Sequence, residues 1–315
     1  MLNRRHLRIK ILQSLYAYFQ SNEENYAIAE KRLFDHIEKI YDLYLYLLLS
    51  FGEIKKIAEQ KLEENKGKLR PSKEDLNPNR TFIDNSFLTA LQESEKLKKI
   101  ANTNKVSWVG VENHEMFKKI FSQIQENESY LFYMEKESHT IDEELHFIIQ
   151  TFKEDIANSP YIFHFFEEKS IHWMDDIDLA CSMVIKTIKS IDEKGKWDIL
   201  PLYKDEEDEK AFVKILFRNC ILLNSENELI IDELTMHWEL DRIAKMDVIL
   251  MKMAITELIQ FPEIPINVSL NEYIEISKFY STPKSNAFIN GILDKAIDKL
   301  KKEGKIKKIG KGLLK

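Results

Sequence analysis

Apolar residues recur at steps of three and four along nearly the whole chain, and no segment bounded by turn residues alternates in twos. That pattern predicts helices throughout and an all-α protein. Leu7, Ile11, Leu15 and Tyr18, widened by Leu12 and Phe19, form one face of a helix over residues 7–20. Trp173, Ile177, Ala180, Val184, Ile188 and Ile191 repeat the spacing over 173–191, and Phe212, Ile215, Leu216 and Leu223 over 209–223. Such rows are core stripes that dock on other helices, and an aromatic within one packs rather than binding a ligand. Short connections between long amphipathic helices describe a compact bundle.

Three helices are expected near the C-terminal end. The first covers 240–259 and stops at "FPEIP", where two prolines forbid continuation. The second starts at Ser269, because "SLNE" has the spacing of a capping box. The third contains "STPKSNAFINGILDK", residues 281–295, where Asn290-Gly291 reads as a hairpin turn but Thr282-Pro283 reads as a helix start. Ile289, Leu293, Ala296, Ile297 and Leu300 fall at helical steps and decide for the helix. Gly291 then lies in a helix interior, at a cost of up to about 1 kcal/mol against alanine, which suggests close approach of a partner. Lys284, Phe288, Gly291 and Lys295 share one arc of this helix. Two lysines neutralise phosphates, an aromatic stacks an unpaired base, and a glycine leaves room for a backbone. The helix start at Ser285 adds free N–H groups for an anion.

The chain of 315 residues, 44% hydrophobic and 31% charged, is long enough for one large domain or two ordinary ones. Its formal charge of −7 is unevenly spread: residues 1–20 contribute +4, residues 295–315 contribute +7, and the remainder carries −18. Basic ends on an acidic body suggest a polyanion partner for the ends. The competing reading of the last residues is a disordered solubilising tail. Arg4 and Arg8 lie on the azimuth of the apolar stripe at its very beginning, and are expected outside the core. Either the helix overhangs its partners there, or "NRRHLR" is a flexible arm. Cys181 and Cys220 sit among apolar residues, as buried free thiols in a reducing cytoplasm would. The most apolar stretch, 41–51, carries Asp42 and is too short to cross a membrane.

Signatures of catalysis are weak. "GKIKKIGKG" lacks the Ser or Thr of a phosphate loop, and no dinucleotide fingerprint occurs. Glu143 and His146 in "EELH" have a di-iron spacing without a second such pair. His139, His164 and His172 have no nucleophile context. The expectation is a protein without enzymatic activity, metal or cofactor.

"RRHLRIKILQSLYAY" at residues 4–18 resembles the arginine-rich first helix of the NusB transcription antitermination family, and residues 240–295 resemble its C-terminal half, through "INGILDK". "DEKAFVKILFRNCILLNSENELIIDEL" with Trp238 is similar to the helices before it. The resemblance divides the chain into residues 1–30 with the basic arm and first helix, a helical insertion over 31–204, a C-terminal core over 205–300 and a basic tail over 301–315. It implies an all-helical fold, no catalysis, and a complex with the small ribosomal protein NusE. That pair binds boxA RNA within the antitermination complex of RNA polymerase in ribosomal RNA transcription. Carried over by position, RNA contacts fall on Arg4, Arg5 and Arg8, with His6 where another basic residue is usual, and on Lys284, Ser285, Phe288 and Asn290. These join the stripe of Gly291 and Lys295. The NusE-facing surface falls on Lys252, which replaces the usual arginine, and on Glu257, Glu272 and Glu275. Glu257→Lys is accordingly expected to weaken NusE binding in a folded protein. The roles open to the insertion are extending the bundle, homodimerising and contacting polymerase. Two other classes compete: a subunit of an RNA-modifying enzyme, since a NusB-like domain precedes the catalytic domain of some ribosomal RNA cytosine methyltransferases, and a helical scaffold without RNA.

Overall fold

The computed structural model describes residues 1–21, 25–192, 195–235 and 243–313. Within them the chain forms α1 (Arg4–Gln20), α2 (Tyr26–Lys66), α3 (Lys73–Leu76), α4 (Ser86–Glu93), α5 (Glu95–Thr103), α6 (Val111–Glu126), α7 (Glu128–Glu135), α8 (Ile141–Thr151), α9 (Pro160–Lys169) and α10 (Ile177–Lys189). It continues with α11 (Glu206–Leu222), α12 (Asn224–Leu234), α13 (Lys245–Gln260), α14 (Ile266–Tyr280) and α15 (Ser285–Lys302). No strand occurs among the described residues, so the protein is all-α.

Two compact units result. One, here the terminal unit, holds Leu2–Ile37 and Tyr203–Lys315; the other, the middle unit, holds Met1 and Glu38–Leu202. The middle unit is built on aromatic packing. Tyr46 meets Trp108, Phe165, Phe166 and Trp173 at ring-centroid distances of 5.0 to 6.2 Å. The buried indole N–H of Trp108 donates to the Tyr46 carbonyl at 2.9 Å, so this core leaves that donor satisfied. Cys181 belongs here and Cys220 to the terminal unit; both are free thiols, and burial pushes each up to about 12.

In the terminal unit α13 is the central helix, packed by α1, α11, α12, α14 and α15. Its run "DVILMKMAITEL" is apolar on every side, and nearly every residue of it is buried. A helix hydrophobic all round has no solvent face. Its expected first residues, and Trp238, lie outside the described residues. The flanking helices each bury one stripe: Leu7, Ile11, Leu12 and Leu15 from α1, and Ile289, Leu293, Ala296, Ile297 and Leu300 from α15.

Three local expectations change. The start of the chain is helical from Arg4 and is not a loose arm, because the Asn3 side chain accepts the His6 amide at 3.0 Å while the His6 ring accepts the Asn3 amide. α14 begins at Ile266 after Pro265, so Ser269 is an interior residue whose hydroxyl is spent on Glu257 and not on a cap. α15 begins at Ser285 and not at Pro283, since Pro283 and Lys284 form the turn before it, closed by the Ser285 amide donating to the Thr282 carbonyl at 2.9 Å.

Candidate nucleic-acid interface

Asn290-Gly291 lies inside α15, and the stripe read from the wheel is on its solvent side. Lys284, Gly291 and Lys295 are exposed, Phe288 is half-buried, and Asn290 donates to Asp294 one turn on, at 3.4 Å. A methyl group built at Gly291 meets nothing within 4 Å. The glycine therefore serves no helix packing and leaves an open strip of backbone between two lysines. Gly291→Ala is expected to raise stability by up to about 1 kcal/mol, by its better helix propensity, and to weaken RNA binding. Melting and RNA titration of this one variant check both signs; a drop in melting temperature contradicts the open surface.

The arginines of α1 behave differently from the lysines of α15. Arg4 donates to Asp208 at 2.6 Å and lies over the Phe212 ring, 4.2 Å from its centroid. Arg5 forms a two-pronged pair with Glu272, at 2.9 and 2.7 Å, while keeping its side chain 45% exposed. The shared hydrogen bonds raise the pKa of Arg5 and lower that of Glu272. Arg8 is 2% exposed and faces Glu257, which has no exposed surface, through two bonds of 2.7 Å. Burial works against the charge on Arg8, but the adjoining carboxylate outweighs it and holds the guanidinium charged. Glu257 also accepts from the Ser269 hydroxyl at 2.7 Å and the Tyr273 hydroxyl at 2.8 Å. Four donors converge on one carboxylate, as a buried ion requires.

Four expected contacts are thereby corrected. Arg8 and Glu257, expected on different partner surfaces, are each other's partner inside the core. Ser285 is buried and donates to the buried Asp247 at 2.6 Å, which anchors the start of α15 on α13 rather than meeting a phosphate. Lys252 is also buried, with its ammonium on Asn224 at 2.7 Å and Glu228 at 2.6 Å. Glu272 and Glu275 reach the surface of α14, held by Arg5 and by Lys278. Sequence reasoning missed Asp247, Asn224 and Glu228 as the polar partners. The available signal was α13 itself: a charged residue on a helix apolar all round has to be buried and paired.

Elsewhere, Glu143 caps α8 through the Thr140 amide and pairs with Lys136, so it is structural. Among the described residues no group of three or more His, Cys, Asp or Glu is placed to hold a metal ion, and no helix is long and apolar enough to cross a membrane.

The NusB family matches residues 178–298, which reaches from α10 to α15 and extends back beyond the boundary expected at 204. The transcription antitermination protein NusB of Salinibacter ruber is 41% identical over 115 residues, covering 36% of this chain and 71% of that protein. The chain belongs to the NusB family. The NusB protein of Natranaerobius thermophilus is 34% identical over 117 residues, 36% of this chain and 82% of its own length. That of Chloroherpeton thalassium is 47% identical over 78 residues, 25% of this chain and 37% of its own. No solved structure matches. At 315 residues this is an enlarged NusB form, and most of the middle unit and all of α1 lie outside the family match.

Proposed function

We propose that this chain is a transcription antitermination factor of NusB type, without catalytic activity, that binds single-stranded boxA-like RNA together with NusE. The observation that carries the reading is the face of α15, where exposed Lys284 and Lys295 flank a half-buried Phe288 and an open Gly291, and Ile289, Leu293 and Ile297 close the opposite side in the core. Charge, a stacking ring and backbone access are the three things an unpaired strand needs. Arg4 and Arg5 extend the surface at the start of α1, their forks already oriented by Asp208 and Glu272. A phosphate reaching Arg5 competes with the Glu272 carboxylate, so RNA affinity in the absence of a protein partner is modest. Glu272 and Glu275 are the acids retained for the NusE-facing surface; Lys252 and Glu257 are withdrawn from it because both are buried. Retention of a single-stranded boxA-like RNA in a mobility shift, strengthened by added NusE, is the expected result. An RNA shift that NusE leaves unchanged contradicts the shared complex, and no shift in either lane contradicts the RNA reading.

A further inference from the structure

The basic segment after α15 lies beyond the residues that match the family. It is nevertheless seated on the terminal unit. Lys308 donates its ammonium to the Phe261 carbonyl at 2.9 Å, and the Ile309 amide donates to the Pro262 carbonyl at 3.0 Å. Gly312 lies so close to the Pro262 carbonyl that a side chain there would overlap it. The Phe261 ring is 4.9 Å from the ring of Phe212, and Phe212 carries Arg4 at 4.2 Å and Arg8 at 5.3 Å. Two rings in tilted contact thus join the loop that seats this segment to the arginine end of α1. The ends expected to be basic separately meet in one place.

Charge separates their contributions. Arg4, Arg5 and Arg8 are each met by an acid, Asp208, Glu272 and Glu257, so the start of α1 carries little net charge of its own. Residues 299–308 hold six lysines against one acid, Glu303, and one of the six, Lys299, is also met by Glu233 of α12, which leaves a surplus of positive charge. Glu303 is taken by Lys305 at 2.8 Å, and Lys301, Lys302 and Lys307 are exposed. The local acids of the loop that receives the segment come down to Glu263, which is exposed beside Pro262. The surplus of positive charge on this face therefore belongs to the segment and not to the arginines. We infer that residues 299–308, the last turn of α15 and the segment after it whose far end is seated on the Phe261–Glu263 loop near the arginine end of α1, are part of the RNA surface and supply the phosphate-neutralising charge that the paired arginines lack. This inference rests on the RNA-binding reading above.

The test uses the full chain and a short single-stranded RNA titrated over a range of salt. The variant Lys301→Gln/Lys302→Gln/Lys307→Gln, which leaves the Lys308 seat and the Lys305–Glu303 pair intact, is compared with Lys73→Gln/Lys99→Gln/Lys186→Gln, which removes the same charge from exposed lysines of the middle unit. Each phosphate contact to a single strand contributes about 0.7 to the salt slope, so the tail variant should flatten the slope by about 2 and lose about tenfold or more affinity at low salt. The middle-unit variant should bind as the parent does, and the same tail positions changed to Arg should keep parental affinity, which separates charge from folding. Equal binding by the two Gln variants overturns the inference while leaving RNA binding intact. Absence of RNA binding by the parent overturns the functional reading and this inference together. A tail variant that keeps its RNA affinity but loses retention on poly-glutamate reassigns the surface to an acidic protein and likewise overturns it.

Discussion

Arg8→Ala is expected to destabilise the protein by about 3–5 kcal/mol, because it leaves the Glu257 carboxylate buried with only two hydroxyl donors. At the heat effects usual for a domain of this size, the melting temperature falls by roughly 10 °C or more. Glu257→Lys fares worse, since it places a second cation against Arg8 at a site with no exposed surface, and it is expected to abolish folding of the terminal unit rather than to weaken one interface in a folded protein. The bland swap of both residues for apolar ones of similar volume is the informative control. Removing the pair as a pair leaves no stranded charge and should restore most of the stability lost in the single variants. Thermal and denaturant unfolding of the two singles and the double variant give the coupling directly. A normally stable Arg8→Ala protein would mean that the guanidinium is free in solution.

Phe288→Ala is expected to weaken binding of single-stranded RNA about 10- to 100-fold, the loss of about 1–3 kcal/mol that accompanies removal of one base-stacking ring. Phe288→Trp keeps a stacking surface and should retain most of the affinity. The ring is only half-buried, so the stability cost of the truncation should be small beside that of a core phenylalanine. Titration at a temperature where both variants are folded separates the two effects. A large fall in melting temperature with parental affinity would assign Phe288 to packing.

The helices were legible in the sequence because each buries a stripe whose period is local. Ile289, Leu293, Ala296 and Ile297 within a few turns are enough to overrule an Asn-Gly turn signal and to fix which side of α15 faces solvent. Arg8 and Glu257 were misread for the opposite reason. Their chemistry is non-local: each looks like a surface charge until its counterpart, 249 positions away, is set opposite it. The same holds for Ser285 with Asp247 and for Lys252 with Asn224 and Glu228. Ser269 shows a further limit, since its spacing to Glu272 imitates a cap while tertiary structure uses its hydroxyl for the buried carboxylate. In each case a polar residue on an apolar stripe marked a buried polar network, and the pattern carried that information before the partner was known. The two basic ends were visible as charge, but only folding shows that Phe212 and Phe261 bring them together.

The central claim, that this chain holds an unpaired RNA strand by charge and stacking, is tested most directly by titrating one RNA sequence as a single strand and as a duplex over a range of salt. For about four to six phosphates neutralised, log affinity should fall against log salt with a slope of roughly −3 to −4, and the duplex should bind more weakly at every salt concentration because its bases are closed to Phe288. A slope near zero, or a duplex bound as tightly as the strand, would contradict the account.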